Sequence, residues 1–252
     1  MSARYKPGFT IIETMLFLAV TGVLIAAILI GTGTSINIQR YRDSVSTFKA
    51  GLEQQYSDVS TVRNEVRADA VSCDTNALIT TSGTLLPRGQ SECVVLGRYL
   101  TIDDTVITTS TVIGNTAVAP SYTTDINELQ SYNLSLLTTS TETSQLEWGA
   151  RIAWPSGGVD ARTPTMPRQI ALLILRSPTS GLTYTFSSND ANMSLKDIVK
   201  AGDTVPGQAQ QRLCVNSDGG FEGGLAVVIG SYASTASSIQ VRSNDMGDAS
   251  TC

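Results

Sequence analysis

Histidine is absent from the whole chain. Its absence removes Ser-His-Asp and Cys-His catalysis, His-ligated zinc and imidazole proton shuttling near neutral pH. Charge is scarce too: Asp, Glu, Lys and Arg make up 15% of the chain, against about 25% in an ordinary globular protein. Seventeen basic residues against 22 acidic ones leave −5, so no polybasic field marks duplex nucleic acid as the main partner. Aromatic residues reach only 6%. No Gly-rich loop ends in Lys-Ser or Lys-Thr, which excludes a P-loop motor. Of the four cysteines, none forms a Cys-x-x-Cys pair. Two structural disulfides in an exported domain fit that spacing, with four buried thiols as the alternative. An enzyme has no positive residue evidence here.

What fills the gap is hydroxyl. Ser and Thr together make nearly a quarter of the chain, a composition prone to strands and turns. The length suffices for one domain of about 150 to 200 residues and a further element.

That element stands at the start. Met1 to Gly8 carries Arg4 and Lys6 as its only charges, and Phe9 to Ile30 is an apolar run whose only charge is Glu13. About 20 apolar residues cross a bilayer as a helix. Basic residues precede the run and none follows for nine positions, which places the N-terminus in the cytoplasm and the C-terminus outside. A cleaved secretory signal, a plain anchor and a helix that needs Glu13 all remain open on the run alone. The run exceeds the roughly 7 to 15 residues of a signal core, and a plain anchor has no use for a carboxylate in its first turns.

Gly8-Phe9-Thr10-Ile11-Ile12-Glu13, after a short basic leader and before an apolar helix, resembles the processing site of type IV prepilins and type II secretion pseudopilins. The resemblance covers the leader and the apolar run, Met1 to Ile30. It implies cleavage between Gly8 and Phe9 by a prepilin peptidase, N-methylation of Phe9, and an assembly role for Glu13. Glu13 lies one helical turn from the new Phe9 amine. In a low-dielectric bundle of parallel helices, the Glu13 of one subunit would pair with the amine of its neighbour and so set the register. Two departures from the family pattern are Thr14 after the acid and Ile30-Gly31-Thr32-Gly33 in place of a late proline. The two glycines lower helix propensity by about 1 kcal/mol each. Local melting within a filament and a simple helix break at the membrane surface are both open.

Beyond the glycines, Ile38, Tyr41, Val45, Phe48, Leu52, Tyr56, Val59, Val62 and Val66 recur in steps of three and four, the mark of an amphipathic helix. Joined to the run it reaches about Arg67, roughly 90 Å in all. So narrow a seam suits a coiled coil. In a pilin layout it packs on the chain's own β-domain instead. From Val71 the sequence supplies one. Glu92–Thr101, Thr105–Ile113, Leu146–Trp154, Gln169–Leu175, Leu182–Phe186, Gln211–Val215, Leu225–Ile229 and Ile239–Arg242 read as strands of a meander. Leu195–Lys200 reads as a short helix and Thr-rich Leu136–Ser144 as a surface loop. The expected fold is α+β, a long N-terminal helix packed on an antiparallel sheet. Its parts are a leader (1–8), a membrane and filament-core helix (9–30), an amphipathic continuation (31–70) and an extracytoplasmic head (71–252).

Pairing of Cys73 with Cys93 and of Cys214 with Cys252 is favoured as sequence-local, and the second resembles the C-terminal disulfide loop of many pilins. Asn216-Ser217-Asp218-Gly219-Gly220-Phe221-Glu222 offers calcium ligands but reads first as a turn. Asp103-Asp104 likewise reads as a turn. Asn133-Leu134-Ser135 and Asn192-Met193-Ser194 match the N-glycosylation pattern at the chance rate for this composition. Trp148 and Trp154 fall on one face of a strand and read as core. No cofactor or metal is expected. The resemblance implies a filament subunit, held in the membrane and then polymerised on the cell surface. Its partners would be copies of itself, the peptidase and the assembly machinery, with DNA or a host receptor as further candidates. A minor tip pilin or secretion pseudopilin acting as a binding module is the alternative.

Overall fold

The structure is a computed structural model that describes residues 10–61, 71–73, 77, 79–81, 93–115, 124–155, 167–201, 210–217, 224–243 and 252. One helix, α1 (Ile11–Thr61), runs unbroken for 51 residues. Gly31 and Gly33 lie within it, so no break occurs at the end of the apolar run. Neighbouring threonine hydroxyls bond back onto the turns there. Thr32 Oγ1 donates to the Ile28 carbonyl at 2.9 Å, and Thr34 Oγ1 to those of Gly31 and Ile30 at 3.0 and 3.4 Å. The expected continuation through 62–70 lies outside the described residues.

Eleven strands follow among the described residues. β1 (Val71–Cys73) pairs with β2 (Ile79–Thr81) as a small ribbon. β3 (Val94–Asp103), β4 (Val106–Asn115), β5 (Asn133–Gln145), β7 (Gln169–Arg176) and β8 (Thr183–Ser188) form a five-stranded sheet in the order β5-β4-β3-β7-β8. β6 (Arg151–Ala153), β9 (Gln211–Asn216), β10 (Leu225–Ile229) and β11 (Ile239–Ser243) form a four-stranded sheet in the order β11-β10-β9-β6. All pairs are antiparallel. The class is therefore α+β, with two main sheets in place of one meander.

Alternation along β7 explains the layering. Ile170, Leu172 and Ile174 join the α1 seam in one core with Leu100, Ile152, Leu213, Val227 and Ile239. Ala171, Leu173 and Leu175 face the other way, into a second core with Leu129, Phe186, Ile198 and Val199. That second face is covered by α2 (Asp125–Ser131) and α3 (Leu195–Ala201). A strand buried on both faces must read as a continuous apolar run. The seam of α1 is thus satisfied within its own chain, as head packing requires and a coiled coil does not.

Three local expectations are corrected. Leu136–Ser144 is no loop; it belongs to β5, an edge strand whose outer half is exposed. Threonine has high β-propensity, and an edge strand needs no apolar signature. Leu146–Trp154 is no single strand. Glu147–Gly149 is a tight turn with Trp148 at φ 58°, and only Arg151–Ala153 pairs. Consequently Trp154 is buried while Trp148 is 54% exposed. Finally, α2 adds a short helix before β5, its first turn capped by Thr124 Oγ1 accepting from the Asn127 N–H at 3.3 Å. Asp104 forms the β3–β4 turn at φ 55°, as the Asp103-Asp104 reading requires.

Candidate functional site: a projecting helix and its clamp

The first half of α1 touches nothing. From Ile11 to Asn37 the side chains are exposed, apart from partly covered Thr21. Ile11, Ile12, Leu18 and Val23 each show about 70% of their surface or more. At 1.5 Å per residue that stretch extends about 40 Å. Exposed apolar surface of that extent is unusual for a protein in water. The segment is long and apolar enough to cross a bilayer, and none of its most apolar window is buried.

Its start is capped. The Glu13 N–H bonds to the Thr10 carbonyl at 3.1 Å and to Thr10 Oγ1 at 3.3 Å. Thr10 and Glu13 hold the spacing of a capping box, and an acid in the first turn also complements the helix dipole. The Glu13 side chain is exposed and, among the described residues, has no ion-pair partner. Gly8 and Phe9 lie outside the described residues.

The second half of α1 is clamped to the head. Tyr41, Ser44, Val45, Phe48, Leu52, Tyr56 and Val59 are buried. Tyr41 accepts the Leu225 N–H at 3.0 Å and donates to the Val215 carbonyl at 2.8 Å. About four turns on, the Tyr56 hydroxyl shares a 2.8 Å hydrogen bond with Thr185 Oγ1, which donates to the Ala233 carbonyl at 2.7 Å. Burial pushes the Tyr56 phenol up to about 12 and raises that of Tyr41 as well. On the flank, Arg98 reaches Asp58 at 3.6 Å. Trp148 leans on the helix from outside, its Nε1 donating to Asp43 at 3.3 Å with the Arg40 guanidinium 4.8 Å from its ring centroid.

A disulfide joins Cys214 to Cys252 with the Cα atoms 5.4 Å apart. It ties the chain's last residue to β9, beside Val215 and hence beside the Tyr41 contact. Cys93 is also disulfide-bonded, and no free cysteine occurs among the described residues. The other cysteine side chain, Cys73, lies outside the described side chains. Most of the candidate calcium loop, 218–223, is likewise outside, and no group of metal-ligating residues occurs among the described ones.

Two polar nodes were not legible beforehand. Arg168 is buried, stacked 4.6 Å from the Trp154 ring centroid and bonded to the Arg212 carbonyl, Asn189 and Gln211. Glu128 on α2 is buried and accepts from Ser177 at 2.5 Å and Thr179 at 2.6 Å, while Asp125 takes the Ser180 and Tyr184 hydroxyls. Both nodes pin elements together. No family model, curated protein or solved structure matches the chain.

Proposed function

We propose that this chain is the structural subunit of a type IV pilus-like filament. A prepilin peptidase cuts between Gly8 and Phe9, Phe9 is N-methylated, and the mature subunit waits in the membrane through α1. Assembly machinery then packs α1 beside those of identical subunits, with the heads outward on the cell surface. The supporting observation is the division of one unbroken helix. From Ile11 to Asn37 it is exposed and mostly apolar with a lone carboxylate at the start, and beyond that its seam is buried against a disulfide-bonded head.

The physical logic is one of charge in a dry bundle. Packing apolar helices side by side removes water from Glu13, and a carboxylate stripped of water needs a cation. The amine that cleavage creates on Phe9 lies one turn away in sequence and can be supplied by the adjacent subunit. Any other stagger buries both charges alone, so pairing fixes axial register.

Mass spectrometry of the N-terminal peptide from surface-sheared protein tests this reading. The mature chain is expected to begin at N-methylated Phe9. Loss of Arg4 and Lys6 would move the formal side-chain charge from −5 to −7. A chain beginning near Gly33, or retaining Met1, would contradict it.

A further inference from the structure

Glu13 and Arg40 bracket a stretch of α1 without charge. From Thr14 to Gln39 there is no Asp, Glu, Lys or Arg. Glu13 and Arg40 stand 27 positions apart, about 40 Å along an unbroken helix at 1.5 Å per residue. A bilayer with its headgroup layers measures about 40–45 Å. With Glu13 among the inner headgroups, Arg40 therefore reaches the outer ones. Arg42 lies at nearly the same height. Tyr41 faces the core of the head, and a turn of about 100° per residue puts Arg40 and Arg42 on opposite flanks of it. Both arginines are exposed.

A second observation falls at that height. Trp148 belongs to the head, yet its Nε1 donates to Asp43 at 3.3 Å and its ring centroid lies 4.8 Å from the Arg40 guanidinium. Tyr41 is the first buried residue of α1, so Trp148 occupies the rim of the head next to the apolar stretch. Even with the guanidinium on its ring, it stays 54% exposed. Positive φ angles at Trp148 and Gly149, 58° and 69°, turn it out of the strand pattern. A bulky residue adopts that conformation only when its surroundings impose it. Indole is a side chain that membrane–water interfaces favour, and a guanidinium keeps to the interface while its stem lies along apolar surface. Asp43 and Glu147, beside Trp148 in space and in sequence, offset the two arginines. Such a rim suits zwitterionic headgroups, in which phosphate and amine lie side by side.

We propose that this rim is a seat on the outer leaflet, with Trp148 among phospholipid headgroups and Arg40 and Arg42 at the level of their phosphates. The inference rests on α1 being the membrane span and is independent of polymerisation. The test uses the full-length protein in phosphatidylcholine nanodiscs that carry a nitroxide either on the headgroup or deep on the acyl chain. The headgroup label should quench tryptophan emission and the deep label should scarcely do so. Trp154 is buried in the head, so Trp148→Phe, which keeps a ring against Arg40, should lower headgroup quenching several-fold. Replacing both arginines, Arg40→Gln with Arg42→Gln, should weaken it as well. Leu24→Trp, placed on the Trp148→Phe background, sits near the middle of the uncharged stretch and reports the span; the deep label should quench it. Headgroup quenching that is absent while Leu24→Trp is quenched would overturn the seat and leave the span standing. Quenching indifferent to Trp148→Phe, or to loss of both arginines, would overturn the seat as well. A Leu24→Trp residue untouched by the deep label would remove the span and the seat together. Fibre formation enters none of these readouts, so failure of the filament reading is a separate result.

Discussion

The hydroxyl of Tyr41 stands between the backbones of Leu225 and Val215, which are register partners of β10 and β9. A helix side chain thereby completes the end of a sheet ladder, and the ladder end in turn holds the helix. The joint lies beside Cys214 and one turn past Asn37, where the exposed stretch of α1 ends. It is the place where the projecting helix meets the head.

Tyr41→Phe keeps the ring in the core and removes only this bridge. The Leu225 N–H and Val215 carbonyl then lose a partner, a loss of about 1–3 kcal/mol. Urea unfolding should show a lower midpoint with an unchanged slope. A variant as stable as the parent would show that the ladder closes without the helix.

Alkaline pH should weaken the head through Tyr56. Its phenol is raised from 10 to about 12 by burial. A raised pKa means the contribution is intact below pH 10, where both states hold the proton. It is then lost between pH 10 and about 12, where only the folded state does. Linkage sets the slope at about 1.4 kcal/mol per pH unit in that window. Tyr56→Phe should make it shallower, leaving the part due to Tyr41, whose phenol is also raised by burial, as chemical unfolding at stepped pH would reveal.

Gly97 sits at the β3 bulge, where an added Cβ would overlap the Ile174 carbonyl oxygen of β7. Backbone cannot yield as a flexible side chain does. Gly97→Ala should therefore cost about 3 kcal/mol or more by overpacking, read as a fall in melting temperature. A melt indistinguishable from the parent's would mean that β3 and β7 separate easily.

Peptide mapping without reductant should recover Cys214 linked to Cys252. Opening that link with paired serines should cost about 3–4 kcal/mol by loop-closure entropy. We expect the same map to join Cys73 to Cys93. Free thiols at those two positions would contradict the expectation.

Legibility in the sequence followed burial. The seam from Tyr41 to Val59 was readable because one face of a helix must be apolar, and β7 because both of its faces are covered. β5 was not readable: an exposed edge strand of threonines has no apolar alternation to betray it. Trp148 misled for the opposite reason. Its neighbours alternate like a strand, but a positive φ turns it out of the ladder, and no periodicity encodes that turn. The Tyr41 hydroxyl carries the same lesson, because polar partners far apart in the chain leave no local trace. Glu13 stood out at once, a lone charge in an apolar run, yet its relation to Thr10 came only with the helix start.

Under the filament proposal Glu13 supplies the charge at the start of a helix whose first turn is capped by Thr10. Glu13→Gln preserves the spacing and hydrogen-bonding reach of a capping box while removing the charge. Cleavage after Gly8 should continue, because the scissile bond is untouched. Assembly should fail, since an unpaired Phe9 amine in a dry bundle costs about 3–5 kcal/mol at every subunit. The decisive measurement is the amount of mature protein in sheared-surface and membrane fractions of Glu13→Gln cells. The filament account predicts cleaved protein retained in the membrane and surface fibres nearly lost. Normal surface fibres built from the variant would contradict it.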